Sequence, residues 1–166
     1  MKRRIIISVV LLFALAQLVQ PDRNTPVFSE QTDLLVLANA PAAIKTLVTG
    51  ACYDCHSYRT EYPVWAYVTP FNFWIQHHIN EGREVVNFSA WDTYAGSEEV
   101  AECGETINEG EMPPSSYSTM HAHGRLTAAQ RKVLAAWFDQ VAGKQGADGG
   151  AAGDGGAELE HDEDDD

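Results

Sequence analysis

Basic residues are scarce in this chain, which has 11 Lys and Arg against 24 Asp and Glu in 166 residues, a formal net charge of −13 at pH 7. The acid excess is spread over residues 24–143, with six bases and fourteen acids, and residues 144–166, with one base and nine acids. Nucleic-acid binding requires a basic surface, so this composition argues against it, and it also predicts repulsion from anionic lipid headgroups. Neither an internal repeat nor strand-like alternation of apolar and polar residues is evident.

Long apolar runs are also rare, and the only one lies at the N-terminus, from Ile5 to Val19. It follows the basic Lys2-Arg3-Arg4, an arrangement typical of an export segment. Ala14-Leu15-Ala16 fits a cleavage site, but the apolar residues that continue beyond it favour an uncleaved anchor. As a helix the run would measure about 22 Å, so flanking residues would have to complete a span of about 30 Å. We therefore predict a signal peptide or signal anchor over residues 1–23, with the N-terminus cytoplasmic and the following domain periplasmic or on the outer face.

Aromatic residues are absent from the C-terminal segment, where Gly, Ala and acidic residues dominate. This composition predicts a disordered tail over residues 143–166, and a solubilising role for it is favoured over docking or metal binding through His161. Residues 24–142 remain as one small domain.

The apolar spacing within this domain predicts an all-α fold. One helix is expected to begin near Pro41 and to run toward Cys52, and a second should run from Phe71 to Gly82. A third is predicted from Ser97 to about Asn108, ending near Gly110. The predicted apolar stripe of the second helix comprises Phe71, Trp74, Ile75, His78 and Ile79.

A fourth helix is predicted from a capping box, Thr127 with Gln130, that opens an apolar stripe and is expected to stop at Gly143. The stripe comprises Val133, Leu134, Trp137, Phe138 and Val141.

The stretch Cys52-Tyr53-Asp54-Cys55-His56 is a CxxCH motif, the pattern required for covalent attachment of a c-type haem. Two thiols at this spacing can add to the two vinyl groups of one porphyrin, and the adjacent His56 can bind the iron as proximal ligand. A structural zinc site using both cysteines remains open, although the His77-His78 and His121/His123 pairs lack the usual finger spacing. A thioredoxin-like dithiol fits less well, because the surrounding sequence is not βαβ.

A tethered haem iron commonly takes a sixth ligand, and Met112 is the prediction, since Pro113 and Pro114 would stiffen its loop. Met120 is a weaker candidate, because it lacks that setting. His78 is the alternative distal ligand.

His77 points about 100° away from His78 on a helix, so only one of the two could face the iron. His121 and His123 are expected in a surface loop or as a pair near Met112.

The third cysteine, Cys103, is predicted to be a buried free thiol, with an intermolecular disulfide left open. Arg59 and Arg83 are candidate partners for a haem propionate, because guanidinium groups suit carboxylates.

The chain resembles the family of small exported proteins that carry a haem-binding domain built around CYDCHS. The resemblance covers roughly residues 24–142, and the acidic tail lies outside it. It implies a monohaem, cytochrome c-like domain with haem c attached at Cys52 and Cys55, His56 as proximal ligand and Met112 as distal ligand. The matching segments are Cys52–Ser57, Thr60-Glu61-Tyr62-Pro63, Gln76-His77-His78, Asn80–Glu84, Asn87-Phe88-Ser89, Trp91, Gly110–Pro113 and Trp137 in a capped helix.

The function predicted from the sequence is single-electron transfer by a His/Met-ligated haem at the membrane or in the periplasm, with no catalytic residues assigned. The alternatives are a haem peroxidase or a gas or redox sensor with an open distal site, and a zinc-stabilised interaction module. The expected partners are an unidentified redox protein and a membrane contacted by the N-terminal segment.

Overall fold

The computed structural model describes the backbone of residues 1–149 and the side chains of residues 1–143. Within this part 69% of residues are helical and no strand is present, which confirms the all-α prediction. The disordered tail predicted for residues 143–166 lies outside the described residues from residue 150 onward. The α-helices are α1 Lys2–Ala16, α2 Leu34–Leu37, α3 Ala42–Ala51, α4 Tyr53–His56, α5 Phe71–Val85, α6 Trp91–Tyr94, α7 Glu98–Glu109, α8 Ser115–Met120 and α9 Ala128–Gly149, with 3-10 turns at Glu30–Thr32, Val64–Tyr67, Phe88–Ala90 and Ala122–Gly124.

The first three predicted helices of the domain are present, with one changed boundary. α3 ends where expected, at the first cysteine, whereas α5 continues through Gly82 to Val85. α7 begins after Ser97, whose hydroxyl accepts a hydrogen bond from the Val100 amide, and ends at Gly110. Gly110 has φ +86°, the left-handed conformation that glycine adopts readily at a helix C-terminus.

α9 has the predicted capping box: the Gln130 side chain accepts from the Thr127 amide at 2.8 Å, and the Thr127 hydroxyl accepts from the Gln130 amide at 3.2 Å. Two other predictions for this helix are wrong. Val133 is 56% exposed rather than part of the buried stripe. The helix also continues past Gly143 to Gly149, because Gly143 does not adopt the positive φ that would end it there.

The core lies between the α2–α4 segment, α6 and the α7–α9 pair. Phe88 is its central aromatic residue, with ring centroids 6.1 Å from Tyr53, 6.0 Å from Trp91 and 5.8 Å from Phe138. α7 approaches α9 closely at Gly104, where a Cβ would lie 3.1 Å from the Ala135 carbonyl oxygen. This packing fixes the ends of α3, α5 and α7 around one cavity.

α1 projects its side chains into the surroundings and buries none of them. It ends at Ala16, and the chain after it returns to the domain. None of the helices in the described part of the chain combines the length and the apolar character needed to cross a membrane.

Candidate haem-binding cavity

A cavity of about 870 Å³ opens between the CxxCH segment, α5 and the α7–α8 region, a volume within the range of about 300–1,000 Å³ usual for ligand sites. It brings Met112, which lies far from the CxxCH motif in sequence, to the same cavity as Cys52, Cys55 and His56. The rest of its wall is largely apolar and includes Phe71, Trp74, Ile75, Ile79, Val85, Val86, Phe88, Ile107 and Phe138. The apolar stripe predicted on α5 therefore faces this cavity.

His56 is oriented through one ring nitrogen. Nδ1 lies 3.1 Å from the Val86 carbonyl oxygen, and since a carbonyl only accepts, Nδ1 carries the proton and Nε2 has its lone pair free. Burial lowers the pKa of His56, and backbone hydrogen bonds to Val86 and Gly82 oppose this only in part. The imidazole is therefore neutral at neutral pH, which is the form that binds metals.

The thiols of Cys52 and Cys55 are half-buried and free. Burial, with a smaller contribution from Cys103, raises the pKa of Cys52 to about 12. Burial and the neighbouring Asp54 raise the pKa of Cys55 to about 11. Both groups are uncharged at neutral pH, as suits a largely apolar wall.

The two residues between the cysteines fix the segment 52–57, here called the motif turn. Tyr53 is buried and donates from its hydroxyl to Oδ1 of Asp33 at 2.6 Å. Asp54 accepts from the Glu61 amide at 2.8 Å and from the Tyr117 hydroxyl at 2.7 Å. Sequence reasoning missed Asp33 and Tyr117, because these partners lie 20 and 63 residues away and have no local pattern.

α5 packs directly against the motif turn. A Cβ at Gly82 would lie 2.9 Å from the carbonyl oxygen of Cys55, so the close approach of the two backbones requires glycine at this position.

The two candidate arginines also hold this turn. Arg83 donates from Nε to the Ser57 carbonyl at 2.8 Å and from Nη2 to the Thr60 hydroxyl at 2.9 Å. Arg59 pairs with the buried Asp33 at 3.5 Å. Neither guanidinium is among the residues that line the cavity, so the predicted propionate role has no support in this arrangement.

Met112 lines the cavity from the segment 110–124, here called the methionine loop, and its side chain is 37% exposed. The loop is held through its backbone. The Met112 amide donates to the Thr106 carbonyl at 3.4 Å, and its carbonyl accepts from Arg131 Nη1 at 3.1 Å. The same nitrogen lies 3.3 Å from the Ile107 carbonyl, so Arg131 joins the end of α7 to the methionine.

Three further candidates of the sequence analysis line the cavity, namely His78, Met120 and His121. Nδ1 of His78 donates to the Trp74 carbonyl at 2.9 Å, and Nδ1 of His121 donates to the Tyr117 carbonyl at 3.1 Å. Each ring is thus oriented through Nδ1, which leaves Nε2 outside that hydrogen bond.

His77 and His123 are not among the lining residues. His77 is exposed and lies 3.3 Å from Glu81. His123 contacts the Tyr117 hydroxyl at 3.2 Å. Among the described residues, no group of three or more His, Cys, Asp or Glu side chains is arranged to hold a metal ion.

Cys103 is half-buried and faces the same cavity from α7. Its thiol contacts the Glu99 carbonyl one turn earlier at 3.3 Å. Burial, with a smaller contribution from Glu102, raises its pKa to about 11. The sequence predicted a buried thiol here but gave no sign that it faces the candidate site.

A family model described as a haem-binding domain matches residues 11–140. The chain belongs to this haem-binding domain family. No curated protein and no solved structure matches the chain. The cavity of this haem-binding domain fits a haem in two respects: its wall is largely apolar, and a neutral imidazole with a free Nε2 faces it beside two thiols.

Proposed function

We propose that this haem-binding domain carries one haem c, covalently attached at Cys52 and Cys55, and that it transfers single electrons outside the cytoplasm. The observation that carries the proposal is that both thiols, the His56 imidazole and the Met112 thioether line one cavity. Haem so bound supplies a one-electron iron couple, and the protein sets its potential through ligands, hydrogen bonds and burial.

Attachment needs no oxidant. Each S–H adds across one vinyl group, so that a carbon–sulfur bond forms at one carbon and the thiol hydrogen goes to the other. Cys52 and Cys55 are suited to this role because both are free and line the cavity.

His56 is proposed as the proximal ligand through Nε2, with its orientation fixed by the Val86 carbonyl. Met112 is proposed as the distal ligand, because its loop is tied to α7 and α9 while its side chain stays free of those bonds. Ligation on both sides suits electron transfer, since no position is left for a substrate.

A second candidate function is a peroxidase or a gas or redox sensor, in which the distal position is open or Met112 leaves it. The observation in its favour is that His78 and His121 line the same cavity, each with its ring held through Nδ1 and its Nε2 outside that hydrogen bond. Such groups supply the proton transfer that peroxide chemistry requires.

We further propose that the protein is exported and stays at the outer face of the membrane through its N-terminal segment. The basic residues Lys2, Arg3 and Arg4, which begin α1 before its apolar part, support this placement. A basic redox partner suits the acidic domain.

The test is a visible spectrum of the oxidised and reduced protein, produced with haem-attachment machinery, for the wild type, Met112→Ala and Met120→Ala. A thioether on ferric iron gives a weak red absorption band. We expect this band in the wild type and in Met120→Ala, and its loss in Met112→Ala.

Other outcomes would favour the second candidate function or a different distal ligand, or would contradict the proposal. A five-coordinate spectrum in the wild type would favour the peroxidase or sensor. A band lost only in Met120→Ala would move the distal ligand to Met120. A spectrum typical of two imidazoles would move it to His78 or His121, and a chain without covalent haem would overturn the proposal.

A further inference from the structure

Two segments of this acidic chain lack Asp, Glu, Lys and Arg, and the fold brings them together. The first runs from residue 5 to residue 21 and contains most of α1. The second runs from residue 62 to residue 80 and contains the 3-10 turn Val64–Tyr67 and the start of α5. In a chain of net charge −13, two adjoining uncharged segments form a distinct surface.

The contact between them is made by the residues that follow α1. Gln17 accepts from the Thr69 amide at 2.9 Å, and Gln20 donates to the Tyr67 carbonyl at 3.2 Å. Arg23 donates to a carbonyl of the same turn at 2.8 Å, and its guanidinium lies 4.3 Å from the ring centroid of Tyr67. The end of α1 is thereby fixed beside residues 64–74.

Residues 64–74, here called the aromatic face, expose a dense set of large apolar side chains. Outside the cavity wall the exposed fractions are 88% for Val64, 49% for Tyr67 and 42% for Phe73, and Phe71 and Trp74 continue the face at the edge of the cavity. Large apolar side chains exposed together in one short segment are candidates for contact with a membrane or with another protein.

We propose that the aromatic face lies against the phospholipid bilayer, beside α1, and completes the membrane contact that α1 begins. This rests on the proposed function in one respect, the retention of the N-terminal segment outside the cytoplasm. α1 is apolar after its three basic residues, buries no residue in the domain and has a length of about 22 Å, less than a hydrocarbon core of about 30 Å. Its C-terminal end must therefore lie close to the bilayer surface, and the aromatic face is fixed at that level.

The composition of the face suits this position. Tyr and Trp concentrate where hydrocarbon meets water, because their rings are apolar and their polar atoms remain hydrated. The aromatic face also lacks the carboxylates that cover much of the domain, so it can approach headgroups without the repulsion expected elsewhere on the surface. A bilayer accounts for the face and for α1 together, whereas a protein partner would account for the face alone.

This placement has a consequence for the cavity. Phe71 and Trp74 belong to the aromatic face and also line the cavity. One edge of the cavity therefore borders the bilayer, where redox partners embedded in the membrane are within reach.

The test uses the full-length haem-loaded protein and vesicles of phosphatidylcholine, with and without phosphatidylglycerol. The double variant Val64→Ser/Phe73→Ser alters the face at two residues that do not line the cavity. The matched control is Val36→Ser/Leu37→Ser, because both of these α2 residues are 52% exposed and lie outside the face. We expect the vesicle partition coefficient to fall about tenfold for the face variant and to stay within about twofold for the control.

Hydrogen exchange keeps the test informative if a variant folds poorly. In the wild type, vesicles should slow amide exchange in residues 64–74 and leave α2 unchanged. Equal partitioning of both variants, unchanged exchange in the face, or a mature chain that begins after α1 would overturn the inference. The haem spectrum of the same samples tests the proposed function separately. If the spectrum is normal but vesicles do not slow amide exchange in residues 64–74, only the bilayer contact is contradicted.

Discussion

The motif turn and the methionine loop line the same cavity but are held in different ways. In the motif turn the side chains themselves are fixed: Tyr53 bonds to Asp33, Asp54 to Tyr117, and His56 to a backbone carbonyl. In the methionine loop the backbone of Met112 is held, whereas its side chain is 37% exposed.

This difference indicates how the two sides divide their roles. A ligand with a fixed ring and a defined tautomer keeps its geometry when the iron changes oxidation state. A thioether on a flexible side chain, carried by a fixed backbone, can bind or leave at small cost, because only its own rotamers change. With the proposed ligation, the proximal side would set the position of the haem, and the distal side would decide between electron transfer and open-site chemistry.

Removal of the thiols should give the largest effect. We expect Cys52→Ala/Cys55→Ala to abolish covalent haem, so that acidified organic solvent extracts all of it from the chain. Cys103→Ala should retain covalent haem, because this thiol lies outside the CxxCH motif. Haem that stays attached in the double variant would show that the motif turn is not the attachment site.

Gly82→Ala tests how tightly α5 packs on the motif turn. The added Cβ would lie 2.9 Å from the Cys55 carbonyl oxygen, so one backbone must shift, at a cost of about 1–3 kcal/mol in the free energy of unfolding. Gly143→Ala is the matched control, since nothing lies within 4 Å of its Cβ position and alanine favours a helix by about 1 kcal/mol. Urea unfolding measures the free energy of unfolding of both variants. Equal changes in the two variants would mean that α5 packs less closely on the motif turn than described.

Arg131→Met addresses the methionine loop. Loss of the guanidinium removes the hydrogen bonds to the carbonyls of Ile107 and Met112, each worth about 1 kcal/mol. We expect the thioether band to disappear at a lower urea concentration than global unfolding, as followed by far-ultraviolet circular dichroism. In the control Lys132→Met, at the neighbouring exposed position, the thioether band and the circular dichroism signal should be lost at the same urea concentration. If both signals were also lost at the same urea concentration in Arg131→Met, the methionine loop would not depend on the hydrogen bonds of Arg131.

Alkylation of Cys103 should give the smallest structural effect and a clear pH dependence. Because burial raises its pKa to about 11 from 9.0, the thiolate fraction at pH 8 is about a hundredfold lower than for an unperturbed thiol. In the haem-loaded protein, iodoacetamide should label this thiol slowly, at a rate that keeps rising above pH 9, and rapidly after denaturation. Fast labelling of the native protein at pH 8 would place Cys103 outside the cavity wall.

Local chemistry made much of the fold predictable. A capping box, a glycine after a helix and the 3.6-residue spacing of apolar side chains each depend on neighbours within a few residues. For this reason the starts of α3, α7 and α9, the C-terminal cap at Gly110 and the α5 stripe agree with the structure. The stop at Gly143 failed because a glycine ends a helix only where the following chain draws it into positive φ.

The geometry of the cavity could not be predicted from the sequence, because it depends on contacts between residues that are far apart in the chain. The bond between Asp54 and Tyr117 spans 63 residues, and the requirement for glycine at position 82 appears only once α5 lies on the motif turn. Sequence spacing likewise placed His78 on an apolar stripe but not at a cavity wall. The candidate ligands were found from their chemistry, whereas the residues that orient them needed the tertiary structure.

α5 connects the aromatic face with the motif turn. Its first turn carries Phe71 and Trp74 of the aromatic face, and its last turns contact the Cys55 carbonyl through Gly82 and lead to the Val86 carbonyl that orients His56. A continuous helix transmits displacement with little loss, because its backbone hydrogen bonds keep its length fixed. A tilt imposed at the first turn would thus reach His56, so that the proposed bilayer contact would be coupled mechanically to the proposed iron ligand.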